Sequence, residues 1–313
     1  MTIASYRYSL GNGLALTAYS IDPSISENDL RKMVSSKDGS SGFDLKKLRG
    51  NMTFIERMDS LGKWEINAID EPYHVPEQLR PYREALQAKL DSEGKFNGPV
   101  PIVRGVFGNP LTICKGGYYD FMATKRESVP ANLVPGKYMT GKTIEDLMPE
   151  WGMTNDQRAN FVGSAFIMKP NNGRELCLVH RAKGLGIAAD CISSAGGTLQ
   201  FKDEFFNPGF NFTRYYEAHV AEEMEEEFCL GRGDFEIQGV SLVTDTTSVP
   251  LGVIEIVTPL GTKEIAERSS QSKSAIKEHP ILYTMPKEAV GSFLERFDMW
   301  PSISFVLHHL YVK

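Results

Sequence analysis

The chain has 313 residues, 41% hydrophobic and 24% charged, a composition that excludes disorder over most of its length. A net charge of -6 and a pI near 5.6 give no general attraction to nucleic acid or to an anionic membrane. Cys114, Cys177, Cys191 and Cys229 are widely separated, without zinc-ribbon pairing, and read as reduced thiols of a cytoplasmic protein.

No stretch offers the ~18 apolar residues of a membrane span, and MTIASYRYSL carries neither the apolar run nor the cleavage site of a signal peptide. ASYRYSL and LALTAYSI flank Gly11-Asn12-Gly13, the pattern of a hairpin. Ser26 is placed to cap a helix over ENDLRKMVSS. PEQLRPYREALQAKLDSEG puts Leu79, Tyr82, Leu86 and Leu90 on one helical stripe. PIVRGVF and YYDFMATK read as further strands, which makes the first half α+β.

Between Glu127 and Thr143 the run ESVPANLVPGKYMTGKT has linker composition. It contains GKYMTGKT, Gly136 to Thr143, which fits the phosphate-loop expression letter for letter. Such a loop needs a buried strand before it and a helix after it, and polar, proline-rich residues precede this one, so an ATP-using enzyme is not expected. We place the domain boundary here: 1–155 as a separate α+β domain, 156–313 as a second.

In the second half, NFVGSAFIM and RELCLVHRA flank an Asn-Asn-Gly turn as two strands, with Leu176, Leu178 and His180 on one face. A glycine-bearing loop ends at Gly196-Gly197. FEIQGVSLV, LGVIEIVTP and HPILYTM are strand-like, and PKEAVGSFLERF and PSISFVLHHLYV close the chain as helices. A mixed sheet between helices follows.

The segment EAHVAEEMEEEFCL, residues 217 to 230, crowds five glutamates between Glu222 and Glu227. On a helix Val220, Ala221, Met224 and Phe228 share one arc of roughly 100°. Glu223, Glu226 and Glu227 share the neighbouring arc, while Glu222 and Glu225 point elsewhere. Like charges at this spacing repel, and a hard divalent cation would reverse the sign of that interaction; a solvated acidic face is the other reading.

Gly196-Gly197 followed by this helix resembles the Nudix box. That pattern has a glycine, five residues, Glu, seven residues, then Arg-Glu-apolar-x-Glu-Glu-x-Gly-apolar. Glu223 matches the first glutamate after the arginine position, Met224 the apolar residue, Glu226 and Glu227 the glutamate pair, and Leu230 the last apolar residue. The resemblance covers about half of the chain, roughly 156 to 313. Departures are Glu222 for the arginine, Cys229 for the glycine, and about eleven extra residues after Gly197, where Asp203 would stand for the early glutamate and Arg214 could replace the lost arginine.

The resemblance implies an α/β/α sandwich and a hydrolase that cleaves a pyrophosphate linked to a nucleoside, using Mg²⁺ or Mn²⁺. Glu223, Glu226 and Glu227 would be the catalytic and metal-binding residues, with Glu226 a ligand or the base that orients water. Arg181, Lys183, Gly196 and Gly197 would contact a small nucleotide-type substrate; His219 lies one turn before Glu223, and Glu255 and Glu278 are candidates for a further base. A homodimer is compatible with this reading. The alternative is a binding or scaffold protein that kept the sandwich and lost turnover.

Overall fold

The computed structural model describes residues 3–39, 52–94, 97–105, 109–124, 144–154, 157–182, 190–207, 209–245 and 250–312. The proline-rich segment and its GKYMTGKT motif lie outside these residues, as does Lys183.

The N-terminal hairpin forms as expected, β1 (Ser5–Gly11) against β2 (Leu14–Ser20). Asn12 turns the chain with φ of 51°, a left-handed conformation that asparagine tolerates. Ser26 caps α1 (Glu27–Lys37) in a reciprocal capping box with Asp29. Then come β3 (Met52–Met58), β4 (Ile66–Ala68), α2 (Arg80–Ser92), β5 (Pro99–Val103), β6 (Leu111–Gly117) and α3 (Tyr118–Thr124). The strand expected over YYDFMATK is thus a helix. Asp120 accepts a hydrogen bond from the Gly117 N–H at 2.8 Å, and Tyr119, Phe121 and Ala123 pack inward, so capping and burial outweigh aromatic strand preference.

The second half supplies β7 (Gly163–Lys169), β8 (Glu175–His180), the short β9 (Ile192–Ser193), β10 (Glu236–Asp245), β11 (Pro250–Val257) and β12 (Ile281–Pro286). Its helices are α4 (Phe212–Phe228), α5 (Thr262–Ser269), α6 (Lys273–Glu278), α7 (Val290–Arg296) and α8 (Pro301–Tyr311). The mixed sheet runs β1-β2-β12-β8-β7-β11-β10-β3, antiparallel apart from the β7–β11 pair, with β9 beside β8. Tyr216, Val220, Met224 and Phe228 of α4 pack on one face with Ile265 of α5; Leu30, Val34, Phe293 and Val306 of α1, α7 and α8 cover the other. This is the expected α/β/α sandwich in an α+β protein.

The boundary at 155/156 needs correction. β1 and β2 extend one side of the sheet beyond β12, and β3 closes the other side against β10, so both halves of the chain share one sheet. The physical reason is that sheet edges need strands to pair with, and the N-terminal strands supply them. The composition shift over residues 127–143 therefore does not mark the end of one independent domain and the start of another. A three-stranded sheet, β4-β6-β5, with α2 and α3, forms a smaller layer of its own.

β3 is locked in by charge as well. Glu255 of β11 lies 2.9 Å from Lys169 Nζ of β7 and 2.8 Å from an Arg57 guanidinium nitrogen of β3, and Lys169 and Glu255 are both buried. The two cations hold the Glu255 carboxyl below its ordinary range against the opposing effect of burial. Alternation along β11 puts Glu255 with Val253, on the face opposite α4, so it cannot serve the acidic helix. Among the described residues no helix is long and apolar enough to cross a membrane.

Glu255→Gln should destabilise the protein by roughly 3–5 kcal/mol in urea unfolding, because it leaves the Lys169 ammonium buried without its anion. A loss under about 1 kcal/mol would mean the network contributes little beyond a surface pair.

Candidate active site

Asn211 caps α4 by accepting from the Arg214 N–H at 2.8 Å, and its apolar arc then docks on the sheet. This rotation decides the fate of each glutamate. Glu222, Glu225 and Glu226 are exposed, Glu223 is 22% exposed and Glu227 is 4% exposed. Of the three residues expected to converge, the structure turns Glu223 and Glu227 inward and leaves Glu226 on the rim. There it still acts on both through its charge.

The glycine pair makes room for this. A Cβ on Gly197 would fall on the Glu223 carboxylate, and one on Gly196 would fall on the Ser164 carbonyl oxygen of β7. Ser164 fastens the loop, since its Oγ donates to the Gly197 carbonyl at 2.9 Å and accepts from the Gly197 N–H at 3.3 Å. His219 Nε2 lies 3.0 Å from the same Oγ, and His219 Nδ1 lies 3.7 Å from Glu223 Oε1. The order Ser164, His219, Glu223 resembles a nucleophilic triad, but Ser164 is buried and its hydroxyl is engaged on both sides. It clamps the glycine loop to α4.

Two residues that the helical pattern alone does not connect to the site complete its wall. His279, fully buried at the end of α6, places Nε2 3.0 Å from Glu227 Oε1, and Glu278 precedes it. Ser272 ties the start of α6 to α4 by donating to the Glu226 carbonyl at 3.1 Å, and the Ala182 N–H donates to the Glu278 carbonyl at 2.9 Å. Arg181, just past β8, is thereby held where its positive field acts on both Glu227 and His279. One donor atom each of Glu227, Glu278 and His279 lie within 4.8 Å of one another.

The electrostatics follow from burial among like charges. Burial, then the charges of Glu227, Glu226 and Glu278, push the Glu223 carboxyl up to about 8. Glu227 goes well above its ordinary range for the same reasons, opposed by Arg181 and the Gly196 amide. Burial drops His219 to about 4; burial first, then Arg181, drops His279 to about 3. A divalent cation fits this donor set: it is rich in carboxylate oxygens, short of positive charge, and leaves Glu227 Oε2 buried without a hydrogen-bond partner.

The departures from the box pattern now have physical readings. Cys229 ends α4 in the left-handed conformation, φ 53° and ψ 40°, where glycine carries no penalty, so this substitution strains the cap and leaves the carboxylates alone. Glu222, at the arginine position, faces solvent. Arg214 does not replace it: it is exposed near the start of α4, nine positions before Glu223, some ~14 Å along the helix. Asp203 is 78% exposed and pairs with Lys115 at 2.8 Å instead of joining the glutamates.

No protein-family model and no curated protein matches the chain. Several solved structures resemble 48% of it. They include DR0079 from Deinococcus radiodurans, at 12% identity over 82% of that chain with a TM-score of 0.34. The MutT protein from Methanosarcina mazei Go1 is 15% identical over 91% of its chain, TM-score 0.30. The Nudix domain of Shewanella oneidensis NrtR, solved with ADP ribose, is 12% identical over 86% of its chain, TM-score 0.29. That domain is of the family whose box the residues around α4 resemble.

Two outcomes test this geometry. Gly197→Ala should leave unfolding stability nearly unchanged while weakening Mn²⁺ binding, since the new methyl displaces only the tip of Glu223, whereas Gly196→Ala meets backbone and should destabilise the fold; similar behaviour of the two would refute the distinction. In metal-free protein, stability should fall as pH rises from about 6.5 to about 8. There the folded Glu223 keeps a proton that the unfolded chain has released, while below 6.5 the unfolded His219 and His279 bind protons that the buried rings refuse and offset the trend. Glu223→Gln should reduce that slope in pH-resolved urea melts, leaving the part contributed by the likewise raised Glu227 carboxyl, and a wild-type slope of the opposite sign would contradict it.

Proposed function

We propose that this chain is a Nudix-type hydrolase that cleaves a pyrophosphate bond in a nucleoside diphosphate-linked substrate with the help of Mg²⁺ or Mn²⁺. One observation carries the reading: Glu223 and Glu227 are turned together out of solvent, at the spacing of the box, into a pocket rich in carboxylates whose mutual repulsion a divalent cation would relieve. Structural glutamates have no reason to be buried against one another.

Glu223 and Glu227 would hold the metal, with Glu226 at the rim. When bound, it supplies neutralisation of the phosphate charge and a water acidic enough to attack. The chain's own residues do the rest. Arg181 offers a guanidinium to the phosphate that enters beside Glu227. Gly196 and Gly197, having no side chains, let the loop lie against the β7 backbone and leave the Glu223 carboxylate its place beside the substrate. Glu226 and Glu278, nearer to solvent than Glu227, would be the carboxylates to take a proton from the attacking water.

The contact between Glu227 and His279 favours a second reading, a protein that binds without turnover, because it gives the buried carboxyl a hydrogen-bonding partner with no cation present. A screen of dinucleotides, nucleotide sugars and nucleoside triphosphates for product release with Mg²⁺ or Mn²⁺ separates the two. Glu223→Gln and Glu227→Gln should each lower kcat/KM on the best substrate by roughly a hundredfold or more, about 3 kcal/mol of transition-state stabilisation, with Glu225→Gln within twofold of wild type. No turnover of any such compound would leave the binding reading.

A further inference from the structure

On the opposite face of the sheet the buried Glu255 meets the buried Lys169 at 2.9 Å and Arg57 at 2.8 Å. Around Glu227 the balance is reversed. Glu223, Glu226 and Glu278 all act on it, and the cation acting on it is Arg181. Its contact with His279 satisfies one atom of each partner and leaves another, since Glu227 Oε2 and His279 Nδ1 are both buried without a hydrogen-bond partner. A direct hydrogen bond alone therefore does not explain why this pair is buried.

The separation of 3.0 Å has a second meaning. Two ligands about 2.1 Å from one metal ion, at a right angle to each other, sit about 3.0 Å apart. Glu278 brings a third donor to within 4.8 Å of both. His279 is fixed in orientation, with its ring parallel to that of Phe228 within 14° and its backbone N–H donating to the Ala275 carbonyl at 2.7 Å. A ring held this way, in a wall otherwise made of carboxylates, adds a nitrogen donor where a site for Mg²⁺ would offer only oxygen.

We propose that Glu227, Glu278 and His279 form a carboxylate–imidazole cation centre that prefers a transition ion such as Mn²⁺, Co²⁺ or Zn²⁺ to Mg²⁺. The preference follows from the imidazole, which suits first-row transition ions far better than it suits Mg²⁺. The proposal deepens the hydrolase reading and rests on it in one respect, the sharing of Glu227 with the Glu223 position. Glu278 is partly exposed and His279 fully buried.

The test uses the full chain loaded with Mn²⁺. Pulsed electron paramagnetic resonance of the unsubstituted protein should show coupling to an imidazole nitrogen, and calorimetric titration should show Mn²⁺ and Zn²⁺ binding at least tenfold tighter than Mg²⁺. Glu278→Gln, on a partly exposed residue, should weaken Mn²⁺ binding roughly tenfold, and His279→Gln should abolish the nitrogen coupling. Oxygen ligands alone in the wild-type spectrum, or no binding of any of these ions, would overturn the proposal even if His279→Gln fails to fold. Hydrolysis that depends on Glu223 together with an oxygen-only spectrum would keep the hydrolase and remove this centre. Nitrogen coupling without hydrolysis would keep the centre and remove the hydrolase.

Discussion

The burial of the Glu227 carboxyl among three other glutamates is the constraint on which the functional region turns. A carboxyl in that position is expensive to ionise, and burial with the neighbouring glutamates pushes its proton affinity up where it meets His279. Folding accepts this because α4 cannot dock otherwise: the arc that buries Val220, Met224 and Phe228 carries Glu227 inward with it. The apolar stripe that builds the core and the carboxylates that build the site are thus two sides of one helix rotation.

The rest of the fold holds that rotation in place. Ser164 and His219 fasten the glycine loop to the helix, and the absence of side chains at Gly196 and Gly197 lets the loop lie against the β7 backbone and the Glu223 carboxylate. On the far side, α6 presents Glu278 and His279 and is tied back through Ser272. The N-terminal strands contribute indirectly. They complete the sheet at both edges, and the Arg57–Glu255–Lys169 network anchors β3 on the face away from the site.

Periodicity revealed what depends on local geometry. The hairpin at Asn12, the Ser26 cap, the strands around Phe166 and Leu178 and the inward turn of Glu223 and Glu227 are all written in residues a few positions apart. Long-range pairing was not legible. β3 joins β10 across most of the chain, and no signal in MTFIERM says so, which is why a composition shift was misread as a domain boundary. His279 meets Glu227 from a separate helix 52 positions later, a contact that helical spacing cannot anticipate. Glu226 was misplaced for a simpler reason: at the outer margin of its arc it clears the neighbouring elements and stays in water. The departure at Cys229 is a matter of backbone conformation, a left-handed cap that side-chain identity alone does not reveal.

The carboxylates gathered around Glu227 are arranged to be met by a divalent cation. Anomalous diffraction at the manganese edge, from crystals of the unsubstituted chain grown with Mn²⁺, tests this most directly. An anomalous peak within coordination distance of both Glu223 and Glu227 is expected. Peaks confined to the exposed Glu222 and Glu225, with Glu227 still against His279 alone, would contradict it.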